Sequence, residues 1–367
     1  MMHHHPKYLN VEGKTLLDFN KFHKEYAEAT YALGLLEGSQ KKLQNPQLLV
    51  SPLTAKEATV SSRIEGTVST VSDVFVFEAG GKQNDTDSRQ VANYRVAISQ
   101  ATNDLKIGRP LGTALIEALH ATLLRKVKHR GPLGKFRTET VYIANKQTDP
   151  IDKAIYIPPE HYLVRDYVDN IVDYLKKSED DILIKVSMFH YQFEAVHPFN
   201  DGNGRLGRLL IPIILFHTGI LSSPILYLSG YIDDDKKEYL DRLHEVDETG
   251  NYEGWIKFFL RCVAEQAKET QELIDKIYNL HDEIKSKFEA TKSPYLFHFV
   301  DFLFSSPVFT NAQVKRTLEK ISTSTVSRLT VSRLISLFEE SNILEEYSFR
   351  AGRSKIYGFR SLLNLLS

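Results

Sequence analysis

Apolar residues recur at the three-to-four spacing of an amphipathic helix along most of the chain. That pattern predicts helices over 20–38 and 54–64, both with small-residue faces, then over Asn93–Leu105 and Thr113–Val127. It resumes at His161–Lys177 and Asp181–Val196. Pro198 stops the last of these just after His197, because proline disfavours helical backbone in the residue before it. A strongly apolar helix follows from about Gly204 to Thr218, with Gly219 as its stop signal. Trp255 to Lys287 reads as one long connector helix. The segment Gly134–Glu160 breaks this rhythm. Thr, Val, Tyr and Ile alternate on both sides of KQTDPIDK and predict a β-hairpin, ended by a double proline.

From Ser293–Pro294 onward the pattern changes again. TNAQVKRTLEKIS and TVSRLTVSRLISLFEESNIL predict two helices at helix-turn-helix spacing, and EEYSFRAGRSKIYGF a two-stranded wing turning at Ala-Gly. The tandem TVSRL copies at Thr325–Leu334 are read as lengthening the second helix. A mainly α-helical chain is expected, in three consecutive parts. These are an N-terminal helical region over 1–90, a core over 91–291 holding the hairpin at about 134–158, and a winged-helix domain over 292–367.

Composition narrows this picture. With 42% hydrophobic and 25% charged residues, the 367-residue chain is ordinary globular material. Its one cysteine, Cys262, excludes a disulfide framework and fits a reducing, cytoplasmic compartment. No apolar run is long enough for a membrane span. The opening MMHHHPKYLN lacks the apolar stretch of a signal peptide, and its histidines, His3 to His5, read as a tag remnant or a disordered end, with a weak metal site as the alternative. Net charge is −1 overall, yet 292–367 hold ten Lys/Arg against six Asp/Glu. A modestly basic tail leaves both a DNA contact and a protein-binding role open for the winged helix. The helix-rich surfaces are compatible with a homodimer.

The chemistry concentrates in HPFNDGNGRLGR, His197–Arg208, lodged between the apolar runs KVSMFHYQFEAV and LLIPIILFH. A helix starting here presents unbonded backbone N–H groups and the positive end of its dipole. Gly202 and Gly204 allow positive φ and close backbone approach. Arg205 and Arg208, three residues apart, share a face of the first turn. Together they suit a polyphosphate. Asp201 is a hard oxygen donor fit for Mg2+ beside it, and His197, at the helix break, is a candidate general base. Glu117-x-x-His120 and Glu194-x-x-His197 also match the ligand pairs of di-iron bundles, although Pro198 ends the helix at the second pair.

HPFNDGNGRLGR matches the Fic family signature His-x-Phe-x-Asp/Glu-Gly-Asn-Gly-Arg-x-x-Arg at every defined position. The chain therefore resembles a Fic-type helical core with a β-hairpin flap. The resemblance implies transfer of AMP from ATP to a target protein's hydroxyl, with release of pyrophosphate. It casts His197 as base and Asp201 as the Mg2+ ligand. Gly202, Asn203 and Gly204 would form the phosphate cradle, with Arg208 on the γ-phosphate, Arg205 in support and Phe199 as anchor. The flap around Val141, Tyr142, Ile143, Ala144 and Asn145 would hold the target segment as an added strand. Tyr231 and Tyr239 are candidates for base or ribose contacts, or for core.

SSRIEG, Ser61–Gly66, resembles the Ser/Thr-x-x-x-Glu-Gly/Asn inhibitory helix of autoinhibited members, placed at about 54–66. A Glu65 carboxylate on Arg208 would occupy the guanidinium meant for the γ-phosphate. Two other readings stay open: removal of AMP from a modified protein through Glu65, and a winged-helix DNA-binding regulator whose body senses nucleotide.

Overall fold

The computed structural model of the protein describes residues 2–41, 47–81, 85–144, 149–291, 293–322 and 324–367. Its first helices are α1 (His23–Lys41), α2 (Gln47–Ile64), α3 (Val71–Glu78), α4 (Thr86–Lys106) and α5 (Thr113–Leu123). The strands β1 (Ile143–Ala144) and β2 (Ala154–Tyr156) pair antiparallel, with Ile143 opposite Tyr156. Next come α6 (Val164–Lys177), α7 (Ile182–Val196), α8 (Asn203–His217), α9 (Ser229–Asp234), α10 (Lys236–Thr249) and α11 (Glu253–Lys287). The C-terminal run is α12 (Leu296–Ser305), β3 (Val308–Thr310), α13 (Asn311–Ser322), α14 (Arg328–Glu340), β4 (Glu345–Ala351), β5 (Ser354–Gly358) and α15 (Arg360–Leu366). The chain is mainly helical, as the periodicity predicts. Among the described residues no helix is long and apolar enough to cross a membrane.

The compact units do not follow chain order. One combines Met1–Glu37 with Val96–Lys268, the other Gly38–Arg95 with Glu269–Ser367. The expected three consecutive parts do not anticipate this grouping, because side-chain periodicity says which face is buried but not against what.

In the first unit, α7 and α8 form the centre. Both are apolar on nearly every side, and a helix hydrophobic all round has to be enclosed by others. Asp181 starts α7, its carboxylate accepting from the Leu183 N–H at 3.1 Å. On α6, Val164, Tyr167, Val168, Ile171, Val172 and Tyr174 recur at helical spacing and make the buried face. Helices α6, α8 and α10 pack on α7, while α5 packs on α6 and α8. Gly207 lets α7 and α8 approach closely, since a Cβ there would lie 3.2 Å from the Phe193 ring and 2.3 Å from the Glu194 carboxylate. Trp255 locks α11 to α7 by donating its indole N–H to the Ser187 carbonyl at 2.8 Å.

The N-terminal segment is an ordered strap, contrary to the expectation of a disordered end. The His4 N–H donates to the Ile157 carbonyl at 2.8 Å, and the His5 ring lies 2.6 Å from Glu160. The Leu9 N–H and carbonyl both bond the Asn170 amide, at 2.8 and 3.0 Å. The His4 ring lies 3.3 Å from Asp247, whose Oδ1 accepts the Tyr191 hydroxyl at 2.7 Å.

Burial raises the Asp247 pKa to about 6, against the smaller opposing effect of the Tyr191 hydroxyl, and also lowers that of His4. Between the ordinary carboxylate range and pH 6 the folded chain holds a proton that the unfolded chain has released. Stability contributed by the neutral carboxyl is therefore present at lower pH and lost as pH rises through about 6. Asp247→Asn keeps the acceptor without the charge. It should flatten this dependence, gaining about 2 kcal/mol over the parent at pH 8 and little at pH 4, as read by urea unfolding.

In the second unit the sheet order is β3-β5-β4, antiparallel throughout, with the β4–β5 turn made by Gly352 at φ +58. Helix α2 packs on α12 and α15, and α3 on β3 and α15. The Ser51 hydroxyl of α2 donates to the Ser305 carbonyl of α12 at 2.5 Å. The two TVSRL copies take different structures. In the first, Thr325–Ser327 precede the helix and the Ser327 hydroxyl caps it, accepting from the Thr330 N–H at 3.0 Å. The first copy therefore starts α14 rather than lengthening it. Only the second lies wholly within the helix.

Candidate active site

The polar loop joins α7 to α8 within the first unit. Helix α7 ends at His197, whose φ of +48 is a left-handed conformation rare for a side chain larger than glycine. Helix α8 starts after Gly202, also left-handed at φ +77. Of the two glycines expected to take positive φ, Gly202 alone does so. Gly204 lies in the first helical turn. Two chain reversals within six residues thus face the end of one apolar helix towards the start of another.

Asn203 holds the loop closed. Its side chain accepts from the Phe199 N–H at 2.9 Å and donates to the Phe199 carbonyl at 2.8 Å, and the residue is almost fully buried. The Phe199 ring is wholly buried and stacks on His120 with centroids 3.8 Å apart. The His120 ring accepts the Gly134 N–H at Nδ1, 2.9 Å away, and its Nε2 lies 3.0 Å from the Asp201 carbonyl. An acceptor at Nδ1 requires the proton on Nε2, so the neutral ring bridges both segments. Burial, its largest cause, lowers the His120 pKa to about 4 and keeps it neutral. With both nitrogens engaged by backbone, His120 has no lone pair for the di-iron ligation its spacing suggested.

Arg137 is the larger surprise. It is 2% exposed, and its guanidinium donates to the carbonyls of His197 at 2.9 Å, Val196 at 3.2 Å, Pro159 at 2.5 Å and Glu139 at 3.3 Å. Its own N–H donates to the Pro198 carbonyl at 2.9 Å. One side chain thus ties the turn at His197 to both ends of the β1–β2 hairpin. Burial lowers its pKa to about 10, leaving it charged at neutral pH. Its acceptors are main-chain carbonyls from three separated segments, which no local sequence pattern marks. Arg137→Met should cost about 3–5 kcal/mol in urea unfolding, because buried carbonyls lose their donor. Arg137→Lys should recover only part, since an ammonium lacks the planar fork.

Beyond the loop, Arg205 and Arg208 are 5% and 4% exposed on α8. Arg205 lies 3.4 Å from the Asp201 carboxylate, and the Asp201 side chain keeps 35% of its surface open. His190 of α7 is fully buried. Burial first, then the Arg208 charge, lowers its pKa to about 3.

The Tyr239 hydroxyl lies 3.0 Å from His190 Nε2, and its ring packs edge-on to Trp255 at 5.9 Å. Tyr239 is thus part of the aromatic core around α7. Tyr231 is half-buried, edge-on to Phe258.

On the hairpin, Val141, Tyr142 and Ala144 are half-buried and Ile143 is exposed, while Asn145 lies outside the described residues. Tyr156 anchors β2, its hydroxyl donating to the Ala195 carbonyl of α7 at 2.9 Å. In the other unit, α2 closes at Ile64. Glu65 follows in the turn just past the helix and is exposed, its N–H bonded to the Ser62 carbonyl at 3.0 Å, and Gly66 turns at φ +99.

The N–H groups of a helix start, two buried guanidiniums and a carboxylate partly open to solvent are groups whose chemistry suits an anion carrying several phosphates. An imidazole at the preceding turn adds a group able to take a proton.

Residues 23–103 match the sequence profile of the Fic/DOC family N-terminal region, and residues 110–215 that of the Fic/DOC family. The chain is 34% identical over 96 residues to a probable protein adenylyltransferase of Aquifex aeolicus, covering 26% of this chain and 28% of that one. It is 27% identical over 143 residues to the protein adenylyltransferase Fic of Nematostella vectensis, covering 38% and 30%. The chain thus spans less than a third of the length of these relatives. In fold it is similar to the crystal structure of a Fic family protein from Desulfovibrio desulfuricans, with TM-score 0.59 at 18% identity, over 94% of this chain and 98% of that one. A Fic-domain signalling protein from Bacteroides thetaiotaomicron has TM-score 0.52 at 18% identity, over 68% and 97%.

Proposed function

Because this chain belongs to the Fic/DOC family, we propose that it transfers AMP from ATP to a Ser, Thr or Tyr hydroxyl of a target protein. The observation that carries the reading is the complete HPFNDGNGRLGR loop, held between α7 and α8 with His197 left-handed at its head. His197 takes the hydroxyl proton, the oxygen bonds to the α-phosphorus, and the bond to the β-phosphate oxygen breaks to release pyrophosphate. Proton removal by a positioned base and charge stabilisation at the phosphates are the two contributions the loop can make.

Gly202, Asn203 and Gly204 give backbone N–H groups to the phosphates, and Arg205 and Arg208 neutralise them. The partly open Asp201 carboxylate suits a Mg2+ ion completed by phosphate oxygens and water, since Mg2+ seldom relies on protein ligands alone. Mg2+ would supply charge neutralisation between phosphates. Tyr231 faces the base, with Tyr239 behind it. The β1–β2 hairpin acts as the flap, pairing its exposed Ile143 edge with a strand of the target.

In the resting state Glu65 pairs with Arg208 and displaces the γ-phosphate; SSRIEG supports this reading. The same Glu65 would activate water if the chain instead removes AMP. The C-terminal run α12–α15, with its β3-β5-β4 sheet, is read as a winged-helix domain. Intact-mass spectrometry of the Glu65→Gly protein with ATP and Mg2+ tests the transferase. Absence of any AMP adduct, on the chain itself or on lysate proteins, would sink it.

A further inference from the structure

Ion pairing in the C-terminal segment is selective. Lys315 lies 3.6 Å from Glu319, Lys355 lies 2.6 Å from Glu346, and Arg360 lies 2.6 Å from Glu345. Arg328 and Arg333 on α14 and Arg350 and Arg353 at the β4–β5 turn are exposed, and none has an ion-pair partner among the described residues. A merely solvated helix face mixes charges of both signs. Here Ile321 to Phe338 contain no acidic residue at all.

Helix α14 buries Val331, Leu334, Ile335 and Phe338 on one side. The opposite side carries Arg328, Ser332, Arg333 and Ser336, all exposed, together with exposed Leu329, so up to Glu340 at its end it offers cations, hydroxyls and one apolar side chain. Helix α13 packs on both α14 and β5, so α14 and the β4–β5 hairpin belong to one packed group. Gly352 makes that turn tight, with Arg350 and Arg353 on either side.

We propose that this face docks duplex DNA, with α14 in the major groove and the β4–β5 turn on the adjoining phosphates. An α-helix of 13 residues is about 20 Å long and about 10–12 Å wide, which fits a groove about 12 Å across. Arginine and hydroxyl side chains are the groups that bond phosphate oxygens and guanine edges. The proposal rests on the winged-helix reading of this segment and not on the transferase reading.

The test is fluorescence anisotropy of the full chain with a labelled DNA duplex of mixed sequence, without ATP, over about 50–200 mM salt. Binding should fall with salt at a log–log slope of about −3 to −4, since each phosphate neutralised contributes about −0.9. Each single change among Arg328→Gln, Arg333→Gln, Arg350→Gln and Arg353→Gln should flatten the slope by about one, and all four together should abolish binding. These side chains are exposed, so the variants should keep the parent's unfolding midpoint. His197→Asn should bind DNA as the parent does, whether or not the chain transfers AMP. No binding at about 50 mM salt would overturn the proposal. So would binding that survives the four changes, or equal or tighter binding to an RNA duplex or a polyglutamate peptide.

Discussion

His197→Ala is expected to lower AMP transfer by about a thousandfold, because a positioned general base contributes about 10²–10⁴ and no second imidazole lies in the loop. Alanine alone confounds two effects. His197 sits at φ +48, where a Cβ-bearing residue that gains nothing locally is strained by about 1–2 kcal/mol. Asparagine tolerates the left-handed region far better. Hence His197→Asn should unfold near the parent's urea midpoint and still lose transfer, while His197→Ala should lose both transfer and about 1 kcal/mol of stability. Adduct formation in single-turnover mass spectrometry reads the first quantity and equilibrium unfolding the second. An asparagine variant that retains more than a tenth of parental transfer would remove His197 as the base.

Glu65→Gly should act in the opposite direction and raise transfer by about 10–100-fold. That range follows from the about 1.5–3 kcal/mol of a hydrogen bond to a charged group. Glu65 lies just past the end of α2, beside the left-handed Gly66, so glycine there does little to the helix. Glu65→Gln separates charge from shape. It should raise transfer in the same direction but less, since an amide can still donate and accept near Arg208. Titration with ATP should show tighter productive binding in both. If transfer stays flat while hydrolysis of an AMP-modified protein disappears, Glu65 is the group that activates water.

Much of this molecule was legible in its sequence because the responsible interactions are local. The helical stripes on α6, the all-round apolarity of α7 and α8, and the break at Pro198 need only neighbours within a few residues. So does the reversal at Gly202, which follows from the missing Cβ. The loop's chemistry was legible for the same reason: His197 to Arg208 are consecutive, and the helix start that groups them is written into the same twelve residues.

Other features became visible only when distant surfaces met. Arg137 reads as one more polar residue of a hairpin until its carbonyl partners arrive from 139, 159 and 196–197. His120 reads as a metal ligand or a helix-face histidine until Gly134 and Asp201 claim its two nitrogens. Tyr239 reads equally as a nucleotide contact or as core, and its partners Trp255 and His190 come from helices that no local pattern joins to it. The tandem TVSRL is identical in sequence, yet one copy caps a helix and the other continues it: both valines are buried, but Leu329 of the first is exposed while Leu334 of the second is buried in an α14 already begun. The helix before Glu65 is predictable from its spacing, but its packing on α12 and α15 is not. Sequence by itself determined which residues can turn, cap, bind phosphate or take a proton. Tertiary structure alone decided which polar groups share a buried space, since that depends on partners many residues away whose burial must be satisfied together.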